Sequence, residues 1–134
     1  MNWSHSTLKT LLEKNQNWLI ESEGDCLSVS NDEGFDAFIY AGSEQLLVET
    51  ALFPASAVKD SAKLNDLILR THQLMPLTTI CIHQIGDEDF YVAFGSLSIN
   101  SKESVVLEEI EALFANVGDF LDMYNEFLKE ESVV

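Results

Sequence analysis

Residues 24–54 read GDCLSVSNDEGFDAFIYAGSEQLLVETALFP. Three apolar runs rich in β-branched and aromatic residues are separated by two clusters of turn formers, NDEG and GSE. That punctuation predicts three strands, Cys26–Ser30, Phe35–Ala41 and Gln45–Phe53, joined as an antiparallel meander. The first run alternates, with Leu27 and Val29 on one face and Ser28 and Ser30 on the other, as a half-buried strand does. The next two do not. Phe35, Ala37 and Ile39 oppose Phe38 and Tyr40, and Leu46, Val48 and Leu52 oppose Leu47, Ala51 and Phe53, so both faces of the sheet require apolar cover.

Working toward the C-terminus, Pro54 stops the third strand, and Lys59 to about Met75 reads as a helix through Leu64, Leu67, Ile68 and Leu74, closed by Pro76. Then comes TTICIHQIGDEDFYVAF, in which Thr79–Ile85 and Phe90–Leu97 flank the turn formers GDED as a second hairpin. Its register is open at this level. With Ile85 opposite Phe90, Cys81 and His83 share a face with Phe90, Val92 and Phe94 and are expected in the core; a shift of one residue puts Ile80 and Ile82 there instead.

The flanks supply helices. Ser6 is expected to cap a first helix with Leu8, Leu11 and Leu12 on one stripe, and WLIES, residues 18–22, is extended or a short strand before the acidic turn SEGD. At the other end Asn100 and Glu103 make a capping pair, followed by Leu107, Ile110, Phe114, Val117, Leu121, Tyr124 and Leu128 at three- and four-residue spacing. Leu113, Phe120 and Phe127 widen that seam into a face. Its flanks carry Glu108, Glu111, Asp119, Asp122 and Glu126 with almost no cations, so parallel self-pairing is repelled and the helix is expected to lie over the sheet. Gly118, in its middle, costs about 1 kcal/mol relative to alanine and marks a bend or a close contact. The order is helix, three strands, helix, two strands, helix: an α+β fold with an antiparallel sheet.

Composition bounds the function. A chain of 134 residues with 46% hydrophobic residues suits one domain, 1–134, with a core of its own. Seven Lys and Arg against 23 Asp and Glu leave a net charge of -16, which repels nucleic acid and anionic lipid surfaces. No stretch has the length and apolarity of a signal peptide or a membrane span, and the two cysteines, Cys26 and Cys81, match no paired spacing. A soluble protein of the reducing cytoplasm is expected, without membrane insertion.

No reaction is indicated. Zinc needs about four ligands in short, paired spacings, whereas His5, His72 and His83 are scattered and Cys81 with His83 supplies two at most; no metal or cofactor is expected. The acidic GDED turn lacks the spaced oxygens of a calcium loop. Nucleophile elbows, phosphate-binding loops and dinucleotide fingerprints are missing, and no catalytic residue is assigned.

The meander from Gly24 to Pro54, the helices on either side, the hairpin TICIHQIGDEDFYVAFGSL and the acidic last helix together resemble the class I type III secretion chaperone fold. At closer range Trp3, the run LKTLLEKN and the overall length resemble the YjfI-like family of uncharacterised bacterial cytosolic proteins. The resemblance implies a homodimer, with the second helix and second hairpin at its interface, and a non-catalytic, chaperone-like or adaptor role holding another polypeptide. On that reading Phe38, Tyr40 and Leu47, with Leu11 beside them, form a partner patch, and Ile68, Cys81, His83 and Tyr91 belong to the dimer contact. Two other functions fit the same sequence: a small enzyme or ligand-binding domain with a cleft between sheet and helices, and a regulator of a stress-response system acting by protein interaction.

Overall fold

A computed structural model describes residues 2–74 and 77–129. The first helix, α1 (His5–Leu12), is opened by Ser4 rather than Ser6. The Ser4 hydroxyl accepts from the Thr7 N–H while the Thr7 hydroxyl accepts from the Ser4 N–H at 2.8 Å, a reciprocal cap that satisfies two otherwise unpaired groups. Leu8, Leu11 and Leu12 form its buried stripe, as their spacing predicts.

Six strands follow: β1 (Leu19–Glu23), β2 (Cys26–Ser30), β3 (Asp36–Ala41), β4 (Gln45–Pro54), β5 (Thr79–Ile85) and β6 (Glu88–Ser98). They form one sheet in the order β1-β2-β3-β4-β6-β5, with every neighbouring pair antiparallel. The extended run WLIES thus adds an edge strand to the five expected. Both outer hairpins turn within two residues, since Glu23 pairs with Cys26 and Ile85 with Glu88. Such loops need left-handed backbone, which Gly24 (φ +60°) and Gly86 (φ +64°) supply without a Cβ clash.

Between the hairpins α2 (Ser61–Thr71) starts at Asp60, whose carboxylate accepts from the Lys63 N–H at 3.2 Å. It tightens into a short 3₁₀ turn, His72–Leu74; the closure expected at Met75 and Pro76 lies outside the described residues. His72 ties this end to the sheet, its Nε2 accepting from the Ile80 N–H at 2.8 Å.

The last helix, α3 (Glu103–Tyr124), is preceded by Lys102, and no side chain caps it. The expected Asn100–Glu103 pair does not form, because the Asn100 side chain accepts from the Ser98 hydroxyl at 2.6 Å instead. The buried face runs through Val106, Ile110, Leu113, Val117, Phe120 and Tyr124, while Leu107 and Leu121 are only half-buried at its margin. The core stripe is therefore rotated from the predicted seam toward Leu113 and Phe120. Gly118 interrupts nothing: a Cβ there would have the Phe35 ring edge at 3.9 Å, an ordinary contact.

The core lies between one face of the sheet and the helices. Leu27, Val29, Ala37, Ile39, Leu46 and Val48 contribute from the sheet, and each is at most 1% exposed. At the far end of β4 a bulge between Ala51 and Phe53 changes the alternation, so Phe53 pairs with Tyr91 and turns to the helix side. It was expected on the face of Leu47 and Ala51. There it meets Tyr91 at 5.3 Å and Tyr124 at 6.5 Å between ring centroids, closing an aromatic cluster that straight alternation would have broken.

Candidate functional site: the open face of the sheet

Among the described residues the opposite face has no helix over it. Strand pairing sets its residues in rows: Glu23, Cys26, Tyr40, Leu47 and Ser96 in one; Glu21, Ser28, Phe38, Glu49, Phe94 and Thr79 in the next; then Ser30, Asp36, Ala51, Val92 and Cys81. Of the large apolar residues here Phe38 and Tyr40 are exposed, at 37% and 44%, whereas Leu47, Phe94 and Cys81, with Glu49 among them, are half-buried. Val92 alone in those rows is fully buried, at 1%. At the Tyr40 corner the surface is concave, a depression of about 770 Å³ bordered by Tyr40, Glu44, Gln45, Leu47 and Ser96.

Phe38, Tyr40 and Leu47 therefore do come together, Tyr40 and Leu47 directly opposite each other in register. Leu11 does not join them: it is 5% exposed in the core on the helix side. The four residues expected at a dimer contact divide between the faces. Ile68 and Tyr91 are buried on the helix side, Tyr91 donating its hydroxyl to Asn65 Oδ1 at 2.5 Å, while Cys81 and His83 stand on the open face. Of the two hairpin parities left open by the sequence the structure takes the first, since His83 pairs with Phe90 and Cys81 with Val92, but Ile85 pairs with Glu88 rather than Phe90. The placement in the core fails, because that face is the uncovered one.

The sequence places Val92 and Phe94 beside Cys81 and His83 in one register but not with the partner patch, and it gives no sign of Glu49, an acid on the same side as Leu47 and Ala51. Its Oε2 lies 3.7 Å from Nδ1 of His83, a half-exposed imidazole. Its field also reaches both thiols. Burial and then Glu49 push the Cys81 thiol up, and burial, Glu49, Asp25 and Glu23 do the same to Cys26. A thiol held up in this way has little thiolate at neutral pH and is a poor nucleophile. Both are free, standing four strand spacings apart, roughly 19 Å, far beyond disulfide reach.

A second apolar area lies at the outer edge of β5. Ile82 is 50% exposed on its helix side, Ile85, of the opposite parity, is 44% exposed at the hairpin end of the same strand, and Leu69 of α2 is 76% exposed nearby. A shallow cavity of about 220 Å³ separates the two elements, lined by Asn65, Leu69, Ile80, Ile82 and Tyr91. On the covered side one charge-bearing group stands out. Glu109 of α3 is 4% exposed, its carboxyl sits over Gly95, and its Oε2 has no hydrogen-bond partner. Burial, and then Glu108, push that carboxyl up from the usual range. Among the described residues no three of His, Cys, Asp and Glu gather as a metal site, and no helix is long and apolar enough to cross a membrane.

Similar proteins agree with this architecture. The chain is 30% identical over 131 residues to the uncharacterized protein YjfI of Escherichia coli K12, an alignment that covers 95% of this chain and 98% of that one. Among solved structures, YbjN of E. coli, a protein proposed to regulate transcription, superposes with a TM-score of 0.67 at 17% identity, over 90% of this chain and 92% of that one. A chain of the HopA1–SchA chaperone–effector complex gives 0.60 at 14%, over 85% and 89%. An uncharacterized protein of Methanothermobacter thermautotrophicus gives 0.60 at 12%, over 95% and 100%. At these identities the likeness is one of fold, and it agrees with the expected resemblance to a chaperone fold. The family described as "uncharacterized protein conserved in bacteria" (DUF2170) matches residues 2–128, and this chain belongs to it.

Proposed function

We propose that this protein is a non-catalytic, cytoplasmic binding protein that holds a partner polypeptide on the open face of its sheet. The observation that carries the reading is the row structure of that face: Phe38, Tyr40, Leu47 and Phe94 are adjacent across β3, β4 and β6, and no element among the described residues covers them. A contiguous apolar patch of this kind on a well-packed domain is more often an interaction site than spare surface. The fold likeness to a chain of a chaperone–effector complex supports the same class of role. Likeness to YbjN supports a regulator acting by protein contact, which differs only in what the partner does. Direct contact with DNA is disfavoured by a net charge of -16.

Subunits pair through α2 and the free edge of β5 on this reading. An edge strand offers unpaired backbone groups, and Leu69, Ile82 and Ile85 supply apolar area beside it. Light scattering at micromolar concentration is expected to give a dimer, and Leu69→Asp with Ile82→Asp a folded monomer; a monomeric parent chain contradicts the pairing. The cleft between α2 and β5 gives a small-ligand function little support, since about 220 Å³ is below the usual range for ligand pockets. For the open face, Tyr40→Asp with Leu47→Asp is expected to abolish co-purification of the partner from the native host while circular dichroism stays unchanged. Undiminished co-purification sinks the reading.

A further inference from the structure

The open face carries acids but no cation. None of the six strands contains a lysine or arginine; the seven in the chain lie in helices and connections. Glu21, Glu23, Asp36 and Glu49 all point to the open side, and Glu49 occupies its middle. In register Glu49 stands directly between Phe38 on β3 and Phe94 on β6. Its side chain is only 28% exposed, and the sole basic group recorded against it among the described residues is the His83 imidazole at 3.7 Å. A full positive charge placed on a partly withdrawn carboxylate with a phenylalanine in register on either side gains from the carboxylate, and aromatic rings attract it as well.

Resting on the reading that this face holds a polypeptide, we propose that the partner segment presents an arginine flanked by apolar side chains, with its guanidinium seated on Glu49 between Phe38 and Phe94. Arginine fits better than lysine because its planar group stacks on rings while bonding a carboxylate through two parallel N–H donors. The apolar flanks occupy the Tyr40–Leu47 depression on one side and the Val92–Cys81 row on the other. A second copy of this chain is a poor occupant, since apposing two such faces sets carboxylate against carboxylate with no cation from either sheet.

The test uses the full ¹⁵N-labelled chain and two end-blocked pentapeptides. One is leucine, phenylalanine, arginine, phenylalanine, leucine; the other replaces arginine by its neutral isostere citrulline. The arginine peptide is expected to bind about tenfold or more tightly, with shifts at Phe38, Glu49 and Phe94, and Glu49→Gln is expected to erase the difference. Equal binding of both peptides to the open face overturns the guanidinium site and leaves the face as a polypeptide surface. Shifts confined to α2 and β5 overturn both. No shift with either peptide at millimolar concentration overturns the guanidinium site, and the Tyr40→Asp with Leu47→Asp co-purification then decides the face independently.

Discussion

On the helix-covered side β3 carries Ala37 and Ile39, 0% and 1% exposed; on the other side the same strand carries Phe38 and Tyr40, 37% and 44% exposed. On β2 and β3 the covered side is built from small and branched aliphatic residues, with the aromatic pair Phe53 and Tyr91 confined to the far end of β4 and β6. The open side holds larger, aromatic residues, thiols and a central carboxylate. Stability and recognition are thus divided between alternate residues of the same strands, and neighbouring positions should respond to substitution in opposite ways.

The largest contrast is expected at two adjacent residues. Ile39→Ala removes fully buried aliphatic volume and should cost about 2–5 kcal/mol in urea unfolding, whereas Phe38→Ala should cost less than about 1 kcal/mol. Comparable losses at the two positions break the division between faces. A smaller contrast is set by β6. Gly95 faces α3, and a Cβ built there lies 2.8 Å from Glu109 Cδ, while Ser96 faces the open side. Gly95→Ala must displace the flexible end of the Glu109 side chain and should cost about 1 kcal/mol, and Ser96→Ala no more than about 0.5 kcal/mol.

An effect of similar size concerns the charge on the covered side. Glu109 is buried with an unpartnered oxygen, and its carboxyl is pushed up from 4.5 by burial and by Glu108. The folded chain then binds this proton more tightly than the unfolded chain does. Its contribution to stability is full below the unfolded pKa and is lost as pH rises through the raised folded value. Glu109→Gln should accordingly gain about 1 kcal/mol over the parent at neutral pH, with the difference shrinking as pH falls toward 4.5. Unfolding curves across that range check the sign, and a pH-independent difference contradicts it.

Much of the fold could be read from turn chemistry. NDEG, GSE and GDED lie at or beside hairpin turns, and the bounds of β5 were read without error. Three features depended on tertiary context. WLIES has too little alternation to declare itself a strand, yet it pairs along all of β2 once SEGD has turned. The bulge after Ala51 leaves no mark in local sequence, and it alone decides that Phe53 joins Tyr91 and Tyr124. In α3 nearly every turn carries two apolar residues, so spacing permits neighbouring stripes, and packing against the sheet selects the one through Leu113 and Phe120. The candidate site was legible in part for the same reason. Alternation groups Cys81 with His83 and Phe90 with Val92 and Phe94, but it leaves open the register that joins the two sets and says nothing about which face the helices cover.

Side-chain footprinting by carbene labelling tests the central claim most directly, comparing the free chain with its captured complex. Phe38, Tyr40 and Leu47 should label strongly in the free chain and lose most of that labelling in the complex, with Leu69 and Ile82 unchanged between the two samples. Unaltered labelling at Phe38, Tyr40 and Leu47, with protection confined to Leu69 and Ile82, contradicts the open face as the surface that holds the partner.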